Sequence, residues 1–390
     1  MPAGVIHVAV LFEYPTLNGG ERSMLSVIRC LQSQGKFRFT CIGPDSGPLT
    51  ERMAQLGIPV CQFSTFDASG NRLSRSSLAD RLSETLGDIA PDILHANSLA
   101  MSRLAGHSIR TGQPPIRTAT GHLRDIIRLS RSAINDLNAL QGLIAVSEAT
   151  RTFHIQQGLQ PESCVTIHNG IDPVDLSEPP NLANRQQWFP AISETATVIL
   201  NVGQICLRKA QRDLAESVVR LIGRGCDLYL LLVGTRLSVK RESVEHEQAI
   251  VDIFRDAGVP QRLCLAGQRD DVPELMQLAD MMVHVARQEP FGRVLLEAAA
   301  CELPIICTDV GGTVEMLRPD IDALVCPVSE SEALDQAIIR TIRDPRAANA
   351  RSQEAQQRIL TRFSAGQTAG MHERFWRRHV GRTDGIVIER

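Results

Sequence analysis

The stretch Glu289-Pro-Phe-Gly-Arg-Val-Leu-Leu-Glu-Ala-Ala-Ala300 follows a short run at 281–285 that reads as a buried strand, and it opens a helix. A loop and a helix N-terminus then lie at the carboxyl end of a parallel strand, where open α/β sheets bind their ligands. The unbonded N–H groups of the first helical turn, near Gly292, Arg293 and Val294, suit a phosphate. Gly292 carries no Cβ, so a ligand approaches its backbone closely. Glu289 precedes the helix and Glu297 lies about a turn and a half inside it, so the two carboxylates flank an anion site. A carboxylate is a natural acceptor for pairs of sugar hydroxyls.

The pattern extends outward in both directions. Short apolar runs at 5–12, 38–42, 93–96, 142–146, 165–168, 197–202, 228–233, 263–266, 281–285, 304–308 and 323–325 alternate with helical patterns. Several are continuously apolar, as strands covered on both faces must be. The alternation implies right-handed βαβ units and parallel sheets, an α/β fold. It pauses once, between 169 and 196, where Pro173, Pro179, Pro180, Asn181, Asn184 and Pro190 cluster. This divides the chain into a first domain over 1–175, a linker over 176–196 and a second domain over 197–355. A C-terminal helix, 356–390, carries Phe363, Phe375 and Trp376 and is expected to pack back on the first domain.

A length of 390 residues exceeds one ordinary core and fits two domains. Apolar residues at 43% and charged residues at 22% mark a globular protein, and a net charge of -3 implies no general attraction to nucleic acid. No apolar run reaches membrane-spanning length. The N-terminal run is broken by His7 and lacks a basic leader, so it reads as a strand and not a signal peptide, and the expected compartment is the cytoplasm. The ten cysteines are dispersed, with no C-x-x-C pair, and read as buried reduced thiols.

With Cys301-Glu-Leu-Pro-Ile-Ile-Cys-Thr-Asp-Val-Gly-Gly-Thr-Val-Glu315 after it, the opening segment resembles the signature of retaining glycosyltransferase family 4, the group 1 glycosyl transferases. The resemblance implies the GT-B fold, two Rossmann-like parallel-sheet domains facing each other across a cleft. It implies that Glu289 contacts the donor sugar, that Glu297 holds the nucleotide ribose, and that Phe291, Gly292, Arg293 and Val294 line the donor site. Asn201-Val-Gly-Gln-Ile-Cys-Leu-Arg-Lys-Ala-Gln211 is similar to the family loop whose Arg and Lys bind the diphosphate. Lys209 matches the Lys, and Gly203 lies in the same loop. Gln204 stands where Arg is commoner, a lost charge for which Arg208 is the candidate replacement, and Ala210 stands where Gly is commoner. Arg269 matches the loop beside the nucleotide base.

In the first half, Gly19 and Gly20 resemble the family's glycine-rich loop, and His122 falls where many members keep a histidine near the donor sugar. Two adjacent glycines are also an ordinary strand–helix turn, and a lone histidine is usually structural. No G-x-G-x-x-G fingerprint and no P-loop occurs in the chain, which disfavours a nicotinamide oxidoreductase. The implied activity is transfer of a sugar from a UDP- or GDP-sugar with retention of configuration, without metal or cofactor. The acceptor, a glycan or a lipid-linked intermediate, is not specified. The alternatives are a retaining sugar phosphorylase or synthase, and a degenerate nucleotide-sugar-binding protein. Arg117, Arg124, Arg128 and Arg131 cluster around Ile126-Ile-Arg-Leu129. They read as an ordinary amphipathic helix, or as a contact for an anionic acceptor or for the inner face of a membrane. Asp320-Ile-Asp322 spells D-x-D but reads as a surface turn, not a metal site, with Asp322 in the left-handed position where the family usually has Gly.

Overall fold

The computed structural model describes residues 4–67, 69–112, 118–172 and 182–380. It divides into two compact units. Unit one runs to Ile171 and resumes at Phe363; unit two is Asp172–Arg362.

Unit one alternates β1 (Ile6–Leu11), α1 (Gly19–Gln32), β2 (Phe37–Gly43), α2 (Pro48–Gln55), β3 (Val60–Gln62), α3 (Arg75–Ile89), β4 (Ile93–Ala96), α4 (Leu99–Arg110), β5 (Ala119–Leu123), α5 (Arg131–Asn138), β6 (Gly142–Ala145), α6 (Glu148–Ile155) and β7 (Cys164–Thr166). Its strand order is β3-β2-β1-β4-β5-β6-β7, all parallel. Unit two holds α7 (Leu182–Gln186), β8 (Thr197–Val202), α8 (Gln211–Gly223), β9 (Leu228–Val233), α9 (Arg241–Asp256), β10 (Leu263–Gly267), α10 (Val272–Leu278), β11 (Met281–His284), α11 (Arg293–Ala300), β12 (Ile305–Thr308), α12 (Thr313–Met316), β13 (Leu324–Cys326), α13 (Ser331–Arg343) and α14 (Pro345–Arg362). Its order is β10-β9-β8-β11-β12-β13, again all parallel. The winding reverses between β1 and β4 in unit one and between β8 and β11 in unit two. Those switch points leave a crevice at the carboxyl ends of the strands.

The all-apolar runs form central strands because both faces are covered. Every residue of β1 and of β9 is buried. Each Leu, Ile or Val removed from water in this way stabilises its unit by about 1.5–3 kcal/mol. One helix covering unit one comes from the far end of the chain. α15 (Ala365–Val380) packs along α1, and Ala369, Phe375 and Trp376 join the cluster formed by Val8, Val10, Met24, Ile28 and Phe39. The fully buried Trp376 ring lies 5.9 Å from Phe37 and 6.0 Å from Phe39. Residues 356–362 belong instead to α14 of unit two.

The structure departs from the sequence expectation at several points. β3 and β5 are additional strands. β3 has three residues at the sheet edge, and β5 contains Gly121, an unfavourable strand residue by propensity. A Cβ at Gly121 would lie 2.4 Å from Ser102 Oγ, so the close packing of α4 on β5 requires glycine there. Of the stretch read as a linker, residues 173–181 lie outside the described residues. The rest is packed on unit two: Phe189 is buried 4.8 Å from the Tyr229 ring, and Arg185 binds Leu278 O and Asp280. Residues 124–130 form a loop and not an amphipathic helix, because Ser130 caps α5 by accepting from Ala133 N and the helix starts only there. Arg117 lies outside the described residues. Asp322 is not a surface residue. It is fully buried, it accepts from Arg318 N, Nε and Nη2, and it lies 3.6 Å from Arg358. The left-handed residue of that turn is Asp320, with φ 59°. Asp322 is a clamp for two arginines, which accounts for its burial. Among the described residues no group of His, Cys, Asp or Glu is arranged to hold a metal ion, and no helix is long and apolar enough to cross a membrane.

Three histidines share the interior of unit one. The rings of His95 and His122 lie 5.6 Å apart, and those of His122 and His372 5.7 Å apart. Burial pushes the His372 imidazole from an ordinary 6.5 to about 4, and drives His95 and His122 well below their ordinary value. The unfolded chain therefore binds these protons first as pH falls. The stability from burying neutral rings is fully present above pH 6.5 and is lost as pH drops toward 4. The thermal midpoint should fall steeply between pH of about 7 and about 5, the range in which unperturbed histidine titrates. His372→Gln should flatten that slope, as scanning calorimetry across the range would show.

Candidate active site

In unit two the carboxyl ends of the adjacent strands β8 and β11 carry the two segments singled out from the sequence. Gly203, with φ 150°, leaves β8 and lets the chain pass under the next loop. A Cβ on Gly234 would lie 2.1 Å from Gly203 O, so the loops after β8 and β9 meet backbone to backbone. The turn Leu207–Lys209 ends on Ala210, which is left-handed at φ 52°. That conformation costs a non-glycine residue about 1–2 kcal/mol. Gln211 closes the loop by donating to Gln204 O and accepting from Cys206 N.

The centre of the site is one carboxylate oxygen. Lys209 Nζ donates to Glu289 Oε2 at 2.5 Å, and His284 Nε2 lies 3.1 Å from the same oxygen. Arg208 Nη1 is 3.8 Å from it and donates to Gln288 O at 2.9 Å. Glu289 is 7% exposed. Burial alone would raise its carboxyl, but the Lys209 ammonium and the His284 bond together hold it well below the ordinary carboxylate range. Burial, reinforced by the Lys209 charge, pushes His284 below its own ordinary value, so it is neutral near pH 7. A neutral imidazole facing a carboxylate donates its Nε2–H, which fixes the tautomer.

Glu289 is followed by Phe291, whose side chain is buried, and by Gly292 at φ 92°, which starts α11 without a side-chain cap. A Cβ at Gly292 would lie 3.3 Å from Glu289 Cγ. The glycine therefore lets the first turn of α11, at Arg293 and Val294, lie close beside the carboxylate. Arg293 Nε donates to Glu297 Oε1 at 3.0 Å one turn on. Arg269 sits two strands away from β8, after β10, paired with Asp271 and over the Trp188 ring at 5.3 Å.

Unit one holds the remaining candidates at its own strand ends. Gly19 and Gly20 open α1, whose N-cap Asn18 gives no side-chain cap. A Cβ on Gly20 would lie 3.0 Å from Arg124 Cδ, so this glycine makes room for the arginine stem. Arg124 donates to Asn97 O, Asn97 Oδ1, Asn169 Oδ1 and His122 Nδ1 at 2.8–3.1 Å. His122 itself is only 1% exposed.

Comparison with known proteins assigns both units to described families. The family model described as glycosyl transferases group 1 matches residues 183–358, and the one described as glycosyltransferase family 4 matches residues 17–175. The chain belongs to glycosyltransferase family 4. This glycosyltransferase is 24% identical over 182 residues to N-acetyl-alpha-D-glucosaminyl L-malate synthase of Bacillus anthracis, a match covering 47% of the chain and 45% of that protein. It is 21% identical over 374 residues to UDP-Gal:alpha-D-GlcNAc-diphosphoundecaprenol alpha-1,3-galactosyltransferase of Escherichia coli, covering 92% of the chain and 93% of the relative. Its fold is similar to that of Anabaena HepE in complex with UDP-glucose, with a TM-score of 0.80, 21% identity, and coverage of 96% and 100% of the two chains.

Within the glycosyltransferase, unit two therefore brings together Gly203, Arg208, Lys209, Glu289, Gly292 and the α11 amides, and keeps Arg269 apart. His284 was not foreseen. The only signal for it was a histidine inside an otherwise apolar strand. The Glu289 carboxylate depends on Lys209 for its charge balance. Lys209→Met should destabilise unit two by about 3–5 kcal/mol, because removing one partner of a buried pair strands the other charge. Adding Glu289→Gln to that variant should restore most of the loss. Urea unfolding of the two single variants and the double variant measures the coupling, and strict additivity would contradict it.

Proposed function

We propose that this enzyme transfers a sugar from a nucleoside-diphosphate sugar to an acceptor, with retention of anomeric configuration and without a metal ion. The observation carrying this reading is the convergence of Lys209 and Arg208 on the Glu289 carboxylate beside the N-terminus of α11, which has no side-chain cap. Two cations and two or three backbone amides offer a pre-organised counter-charge for a departing diphosphate, which is electrostatic catalysis. The names of the relatives favour uridine as the base: HepE was solved with UDP-glucose, and the E. coli protein is named for UDP-Gal.

In this reading the diphosphate binds Lys209, Arg208 and the amides of Arg293 and Val294. Arg208 supplies the charge that Gln204 lacks. Glu289 accepts hydroxyls of the sugar through the oxygen not committed to Lys209, and Glu297 accepts from the ribose. Arg269 lies toward the base. In unit one His122 acts through Arg124, holding the guanidinium by its Nδ1, and serves as a positioning residue with no part in proton transfer. Retention through a covalent intermediate would need a carboxylate nucleophile under the anomeric carbon. Glu289 is tied to a lysine and a histidine, which makes it a poor nucleophile. Transfer is therefore assigned to the front face, the leaving phosphate oxygen taking the acceptor proton on the same side of the ring.

Lys209→Ala should weaken UDP binding by about 1.5–3 kcal/mol, the size of a charged hydrogen bond, and should slow turnover. Arg208→Ala should act in the same direction, and more weakly, because Arg208 is the more exposed of the two. Glu289→Gln should lower turnover while leaving UDP affinity nearly intact. Calorimetric titration with UDP, beside turnover of a UDP-sugar panel, separates these effects. Proton NMR of fresh product, with and without EDTA, tests the chemistry. An inverted anomer would overturn the retaining mechanism, and loss of activity in EDTA would overturn the metal-free one.

A further inference from the structure

Of the two cations at the Glu289 carboxylate, Arg208 is held from outside the site. Its Nη1 lies 3.8 Å from Glu289 Oε2, too far for a hydrogen bond. It donates instead to Gln288 O at 2.9 Å, while Arg287 N donates to Arg208 O at 2.8 Å. The turn Leu207–Lys209 and the loop after β11 therefore meet at two points, once through the Arg208 side chain and once through its carbonyl.

That loop is anchored in turn by the Arg287 side chain. Its Nη2 donates to both carboxylate oxygens of Asp213, at 3.0 and 2.9 Å. Asp213 stands in the first turn of α8, where the helix dipole favours a carboxylate, and its N donates to Ala210 O at 2.9 Å. The contacts close a ring. It runs from Arg208 to Gln288 and Arg287, across to Asp213, and back through the start of α8 to the turn that carries Arg208.

The ring does not serve packing. Asp213 and Arg287 are 28% and 50% exposed, and with Leu207 and Ala210 they line a surface cavity of 460 Å³. Shortening either side chain leaves no buried void, and an exposed ion pair adds little to stability. Among the described residues neither side chain bonds to Glu289. What the ring does is restrain Arg208. An unrestrained arginine loses rotamer freedom when it meets an anion, whereas one already held loses less and binds more tightly.

We propose that Asp213 and Arg287 are positioning residues. They hold Arg208 where the departing diphosphate needs it, and they act on the donor only through that guanidinium. The assignment rests on the transferase reading. Within it, the pair accounts for how Arg208 serves in a loop where residue 204 is a glutamine.

Calorimetric titration of the full chain with UDP tests this through double-mutant cycles. Asp213→Asn and Arg287→Met are each measured with Arg208 present and with Arg208→Ala. With Arg208 present, each should weaken UDP binding by about three- to fivefold, the effect open to an exposed ion pair. With Arg208→Ala, the same substitutions should change it by less than about 1.5-fold, because residues in one network couple. Arg287→Lys, which keeps the charge and one donor, should recover part of the affinity. A merely structural pair would move the thermal midpoint and leave UDP affinity alone. Equal weakening in both backgrounds, or no weakening with Arg208 present, overturns the proposal and leaves the donor reading standing. Absence of UDP binding in the parent chain, or UDP affinity untouched by Arg208→Ala, removes the donor role of Arg208 and this assignment together.

Discussion

A parallel strand cannot return to its neighbour through a tight turn, so each strand here is followed by a crossover that lies over a face of the sheet. Both faces are thereby covered, and the strands become continuously apolar. The same constraint decides where chemistry occurs. The sheet interior has its backbone groups paired, while the carboxyl strand ends release loops and helix N-termini with amides to spare. Unit one cannot meet the requirement with its own stretch of chain. Its β1–β2 face is sealed by α15, drawn from beyond unit two, and Trp376 is the plug. The points where the chain leaves and re-enters unit one are tied by Ile171 N to Phe363 O and Ala365 N to Ile171 O.

At the strand ends of unit two, burial and charge are balanced on a single oxygen. A carboxylate as enclosed as Glu289 would ordinarily take up a proton. Lys209, His284 and the nearby Arg208 keep it ionised, and in doing so they commit part of the positive charge that a diphosphate would use. A bound diphosphate and Glu289 would therefore share Lys209. The second cation matters more here than it would beside a free lysine, and Arg208 is the one within reach while residue 204 is a glutamine.

Unit one solves the opposite problem. Arg124 donates to the uncharged acceptors Asn97, Asn169 and the His122 ring, and the lack of a Cβ at Gly20 makes room for its stem. His122 can accept from Arg124 only while neutral. Its burial beside His95 and His372 enforces that state, so the histidine cluster ties the fold's acid sensitivity to the geometry of the arginine.

The sequence by itself determined the α/β alternation, most strand positions, and the segments that carry Lys209, Glu289, Gly292 and Glu297. It did so because apolar runs, glycines and helix-opening loops are local signals. It did not disclose β5, since a strand reading Ala-Thr-Gly-His-Leu is held by Ser102 and Leu140 packing and not by propensity. It misplaced Asp322 on the surface, since only the approach of Arg318 and Arg358 makes burial of that carboxylate tolerable. His284 against Glu289 and Arg124 across Gly20 were likewise settled by tertiary structure. Each joins residues from different loops or strand ends, and no spacing rule along the chain records which strands become neighbours in a sheet.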